Sequence, residues 1–201
     1  IQYQTIGGVP PVGLCGSGIL DAVAQLYLAG VLDKGGRMLE NHPQVRIREK
    51  QCEFVLVSEE EQDRHPAITI TQQDVRELQL AKGAIRSGIQ VLLDTRGHSE
   101  EEIEQVIIAG AFGTYIDIGS AVTIGMLPSL PWSHFRQVGN AAGMGAKLAL
   151  ISCSKRKEAQ AIASRVHYIE LATADNFMQT FVEASYLGCY RMVQGKRREI
   201  D

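Results

Sequence analysis

Three glycine-bearing turns hold the residues whose types and spacing could do chemistry. Two follow apolar runs: QVIIAG breaks into AGAFGTYIDIG, and FRQVGN leads into NAAGMGAKLALIS. In an open α/β sheet, ligands bind outside the carboxyl ends of strands, where loops and helix N-termini gather. A glycine there lets backbone approach a ligand with no side chain between, and the N–H groups of the next helix attract phosphate. Gly110, Gly113, Gly139 and Asn140 are the candidates on this reasoning. Their bland alternative is a pair of tight strand-to-helix turns.

The third turn is GLCGSG, with Gly13, Gly16 and Gly18 around Ser17 at the start of a helix. Gly16, Ser17 and Gly18 could offer N–H groups to a phosphate or to a facing lobe. Alternatively, Cys15 sits as in a nucleophile elbow, with one of His42, His65, His98, His134 or His167 as base. Pro10 and Pro11 precede the turn and Ser17 takes the place of the last glycine, which weighs against an elbow and for a plain structural turn. His42, His65 and His98 fall in polar turns, and no histidines are spaced as a metal pair, so no metal site is expected.

The elements that position these turns follow from periodicity. Residues 17–30 place Ile19, Leu20, Val23, Leu26 and Tyr27 at helical spacing, with Gly30 as the stop. FVLV and AITI read as strands flanking the charged turn EEEQDRHP, a hairpin. Thr71 and Asp74 resemble a capping box, and Val75, Leu78, Ala81, Ile85, Ile89 and Leu92 mark a long helix ending near Gly97. Gly83 and Gly88 inside it each cost about 1 kcal/mol relative to Ala, so a close neighbour or ligand is expected there. Gln79 and Lys82 are three apart and share one helical face with Arg86. QVIIAG reads as a buried strand, FRQVGN as a second, residues 155–166 as a polar helix and HYIELAT as a further strand. Asp175 is the expected N-cap of NFMQTFVEASYL. The order is β-α-β-α, an α/β class.

Composition bounds the function. The 201 residues suit one α/β domain or one large lobe, and 45% hydrophobic with 21% charged residues is ordinary globular usage. A net charge of -3, with the one basic run at 196–198, makes nucleic acid an unexpected partner. Nothing reads as a membrane span. Cys15, Cys52, Cys153 and Cys189 are scattered without a C-x-x-C pair, pointing to a reduced, cytoplasmic setting and against zinc or iron-sulfur ligation here. The opening IQYQTIGGVPPVG has neither an initiator Met nor a signal-peptide pattern, and a fragment of a longer chain is expected.

Three stretches carry a resemblance: GLCGSGILDAV, IIAGAFGTYIDIGSAVTIGMLP and VGNAAGMGAKLAL. Together they resemble the C-terminal ATPase domain of reductive activators of corrinoid proteins, within the superfamily of acetate and sugar kinases, heat-shock chaperones and actin (ASKHA). The resemblance implies a ribonuclease-H-like lobe, a mixed sheet flanked by helices, carrying the adenosine half of an ATP cleft. QLAKGAIRSG is similar to the nucleoside-contacting helix of chaperone-type ATPases, which would give Gln79 and Lys82 base or ribose contacts and let Arg86 stack on the base. VIIAGAFGTYID looks like the adenosine motif, implicating Gly110, Ala111, Phe112 and Gly113, with Gly139 and Asn140 in the following turn. Ala111 departs from the two adjacent glycines common there. VGNAAGMGAKLAL resembles the helix at the interdomain hinge; close helix packing through Gly143, Gly145 and Ala146 is the plain alternative.

The resemblance also implies what lies elsewhere. ATP with Mg and a [2Fe-2S] ferredoxin-like domain belong to the whole protein, which would pass an electron to Co(II) of a corrinoid protein. The acidic phosphate motifs, and with them the catalytic residues, are expected upstream; Asp117 in YIDIGS is a look-alike in the wrong place. The lobe alone should hydrolyse ATP poorly. A dehydratase activator, a small-molecule kinase, or a non-catalytic docking or homodimer-forming lobe are the rival readings.

Overall fold

The computed structural model describes residues 1–62, 65–174 and 176–190. Asp63 and Arg64 of the charged turn, the expected cap Asp175 and the basic run at 196–198 lie outside them. Helix α1 (Gly16–Leu28) opens on Cys15, whose sulfur accepts from Gly18 N–H, and buries Leu20, Val23, Ala24 and Leu26 on one face. Strands β1 (Val45–Arg48), β2 (Gln51–Val57) and β3 (Ile68–Thr71) form an antiparallel sheet in sequence order. The β1–β2 turn places both Glu49 and Lys50 at positive φ, 50° and 65°, the two-residue geometry that matches strand twist.

Helix α2 (Gln72–Arg96) begins with the expected capping box: Thr71 N–H and hydroxyl donate to the Asp74 carboxylate, and Asp74 N–H donates to Thr71 Oγ1. It ends at Gly97, whose φ of 67° is the left-handed cap that frees the chain to turn away. Strands β4 (Val106–Ala109) and β5 (Phe135–Gly139) pair in parallel, and the short helices α3 (Ala111–Tyr115) and α4 (Ile118–Thr123) lie between them in sequence. Helices α5 (Ala141–Ile151), α6 (Cys153–Ala163) and α7 (Phe177–Ser185) follow. One core joins Leu20 and Val23 of α1, Phe54 and Ile70 of the antiparallel sheet, Val75 of α2, Ala121 of α4 and Leu187 beyond α7.

The α/β class holds, with the antiparallel and parallel pairings divided between two small sheets rather than combined in one. Three local expectations need correction. HYIELAT is not a strand: residues 167–170 are irregular and Leu171–Thr173 is a single 3-10 turn, because no described strand offers it an edge. QVIIAG does form a strand, but Ile107 is 59% exposed and Ala109 is exposed, since they alternate with Ile108, which faces Gly113 of α3, and so point to the uncovered side of the sheet. The small-residue helix α5 buries no residue, and a Cβ at Gly145 would meet open space, so the plain packing expected through Gly145 is absent among the described residues.

Candidate functional site

The two strand-ending turns meet. Gly110 N–H donates to Gly139 O at 2.7 Å, and both residues take positive φ, 97° and 63°, which side chains disfavour. A Cβ on Gly110 would meet nothing within 4 Å, so its surface is open. Ala111 and Phe112 are exposed beside it, and the Phe112 ring reaches back to Gly16, lying 3.0 Å from where a Cβ there would stand. The GLCGSG turn and the AGAFG turn are thus in contact.

Gly113 and Asn140 have local structural work. Gly113 is buried, with Ile108 Cγ2 only 2.7 Å from its would-be Cβ. Asn140 caps α5, its Oδ1 accepting from Gly143 N–H at 2.8 Å. Sequence reasoning missed Gln137, whose Nε2 donates to Gly113 O (2.6 Å) and Ile116 O (2.9 Å) and so fixes α3 above the sheet. The signal was an amide side chain inside the strand run FRQVG, which has to find partners where it is covered.

Cys15 pairs with Ser17 Oγ at 3.3 Å as well as with Gly18 N–H at 3.4 Å. The Ser17 hydroxyl and then the Gly18 N–H hold its thiol below the ordinary range. No histidine is hydrogen-bonded to it among the described residues, so the elbow lacks its base. Behind the turn, burial pushes the Asp21 carboxyl up, a shift that the Ser120 hydrogen bond opposes and the Asp117 charge reinforces. Asp117 itself caps α4, accepting from Ser120 N–H at 2.7 Å, which accounts for the phosphate-motif look-alike. Among the described residues no three of His, Cys, Asp or Glu converge as metal ligands.

Gln79, Lys82 and Arg86 share one face of α2, as their spacing requires, and that face is covered. Gln79 Nε2 donates to Ser185 O (2.9 Å) and Gly35 O (3.2 Å). Lys82 Nζ donates to Tyr186 O, and the lysine is only 1% exposed. Burial first, then the like charge of Arg86, lowers its pKa to about 8. Arg86, also 1% exposed, pairs through Nη2 with Glu100 and lies 4.6 Å from the Tyr190 ring centroid. Its Nε and Nη1 have no partner among the described residues. The neighbour anticipated at the helix glycines is the chain itself: Ser185 Oγ and Phe181 stand 2.8 and 3.5 Å from a Cβ on Gly83, and Leu171 stands 3.7 Å from one on Gly88. Arg86 is therefore not a solvated charge.

Comparison with known proteins supplies the family. A corrinoid activation enzyme, RamQ, of Eubacterium limosum is 39% identical over 94% of this chain and 33% of its own length. The [Co(II) methylated amine-specific corrinoid protein] reductase of Methanosarcina barkeri is 26% identical over 89% of this chain and 30% of its own. A solved reductive activator for corrinoid, iron-sulfur protein superposes with a TM-score of 0.85 at 41% identity, covering 92% of this chain and 30% of that one. The chain thus spans about a third of the length of these relatives. A family model described as the C-terminal domain of RACo, the ASKHA domain, matches residues 1–195, and the chain belongs to that family.

Proposed function

We propose that this chain is the nucleotide-facing lobe of an ATP-dependent reductive activator of a corrinoid protein. The observation that carries the reading is the junction of Gly110, open on its surface, with Gly139, where only Thr114 Oγ1 stands within 4 Å of a would-be Cβ, in a chain whose family is that of activator ASKHA domains. The names of the relatives support the corrinoid partner. In this reading a [2Fe-2S] cluster held outside this chain would supply the one electron that reduces Co(II) of the corrinoid protein to Co(I), which can again accept a methyl group. ATP supplies the free energy of phosphoanhydride hydrolysis for that uphill step.

The chain's own residues bind and orient. Gly110 and Gly139 let backbone meet the nucleoside, Ala111, Phe112 and Asn140 border it, and Gly113 allows α3 to sit low over β4. Gln79, Lys82 and Arg86 are the proposed polar contacts on the α2 side, and Gly16, Ser17 and Gly18 face the phosphate side or the second lobe. Catalytic carboxylates and the cluster's ligands are assigned to parts of the protein outside these residues. The four cysteines, all free, do not converge among the described residues, so no step is assigned to the cluster on this chain. The setting proposed is the cytoplasm; no described helix is long and apolar enough to cross a membrane.

The test is an NMR titration of the chain with Mg-ADP, which reports even millimolar binding. Saturable shifts at Gly110, Phe112 and Gly139 are expected, and Gly110→Val should abolish them by forcing a branched side chain into a positive-φ turn at the cleft. Absence of any shift at millimolar nucleotide would refute the reading.

A further inference from the structure

The segment after α7 runs as a strap across the molecule. Leu187 is fully buried in the core and its N–H donates to Lys34 O at 2.8 Å. Gly188 passes so close to Gly125 that a Cβ on Gly125 would collide with its carbonyl, and Cys189 Sγ approaches Val122 O of α4. On the other side, the carbonyls of Ser185 and Tyr186 receive Gln79 and Lys82, and Tyr190 lies over Arg86. Residues 185–190 thus tie α2 to α4 and to the loop after α1, and cover the Gln79, Lys82 and Arg86 row of α2.

Two features oppose this closed arrangement and two favour it. Lys82 and Arg86 are like charges buried side by side, and two Arg86 nitrogens have no partner among the described residues, so the seated strap leaves polar groups unsatisfied there. Leu187 in the core and the caps on the last carbonyls of α7 hold it down. An element held down by some contacts and opposed by others can have two accessible states.

We propose that residues 185–190 form an autoinhibitory strap: seated, it occupies the α2 face that would meet a nucleoside, and nucleotide binding on that face requires its release. The inference rests on the reading of Gln79, Lys82 and Arg86 as nucleoside contacts. Nucleotide then binds by shifting the population toward the released strap, and anything that pins the strap weakens binding without touching the glycine turns.

The test has two arms. Without nucleotide, hydrogen exchange of the chain should show the Leu187 amide exchanging at least tenfold faster than amides at the centre of α2 near Ser87, as a sub-global opening requires. Exchange of Leu187 only at the global unfolding rate would overturn the proposal. In the second arm, Gly83→Cys is combined with Ser185→Cys, with Cys189→Ser to prevent mispairing. The 2.8 Å from a Cβ at Gly83 to Ser185 Oγ is close to the about 3 Å between a Cβ and its partner's sulfur in a disulfide. Oxidised, this variant should bind Mg-ADP at least tenfold more weakly than when reduced, while the wild-type chain is indifferent to reductant. Equal affinity of the two forms, with shifts at Gly110 and Gly139 intact, overturns the strap and leaves the nucleotide reading standing. Loss of binding in wild type and reduced variant alike refutes the nucleotide reading and the gate with it, whatever the exchange rates.

Discussion

Lys82 offers a quantitative test of how the α2 face is built. Its amine, 1% exposed, has a pKa lowered from 10.5 to about 8 by burial and by Arg86. The folded-state value lies below the unfolded one, so between them the unfolded chain holds more protons and stability rises with pH. With those two values, linkage gives a gain of about 2 kcal/mol between pH 7.5 and 9.5. The neutral amine still donates to Tyr186 O, so deprotonation forfeits no hydrogen bond. Above pH 10 the half-buried Tyr190 phenol, pushed up by desolvation, begins to reverse the trend, so the window stops short of it. The perturbation is Lys82→Met, which keeps the length and removes the charge. Its absolute effect at pH 7.5 mixes a lost partner for Tyr186 O with a relieved buried charge, and is not the diagnostic quantity. The slope is. Urea denaturation at half-unit steps should show the wild type gaining about 2 kcal/mol on the variant across the window. A wild-type-to-variant difference that stays constant with pH would refute a buried, charge-strained Lys82.

Two further outcomes concern the turn end of the molecule. Ser17→Ala removes the largest cause of the lowered Cys15 thiol, so alkylation of Cys15 by iodoacetamide at pH 7.5 should slow by roughly 2- to 5-fold, read by peptide mass spectrometry. Asp117→Ala leaves Ser120 N–H without its cap and should cost about 1 kcal/mol in denaturant melts, with no effect if the carboxylate's part is only chemical.

What the sequence disclosed depended on whether a residue's role was local. The capping box at Thr71 and Asp74, the Gly97 stop and the two glycine turns are written in neighbouring residues, and all stand where the pattern put them. Strand β1, VRIR, escaped notice because its alternation places arginines where no turn glycine announces a hairpin, and Glu49 and Lys50 make the turn without one. HYIELAT has the composition of a strand, but a strand exists only when another supplies an edge. The spacing of Gln79, Lys82 and Arg86 was legible; their burial was not, because what covers them is 104 residues further along the chain in the case of Lys82 and Tyr186.

That separation bears on how the chain is made. At translation rates of about 5–20 residues per second, α2 waits roughly 5–20 s before the segment that covers it can arrive. During that interval an apolar stripe would invite sticky encounters with other nascent chains. Lysine, arginine and glutamine keep the same stripe hydrated until its own cover emerges, and then serve as the fastening. The charge burial that weakens the finished fold is, on this view, what keeps the unfinished one soluble.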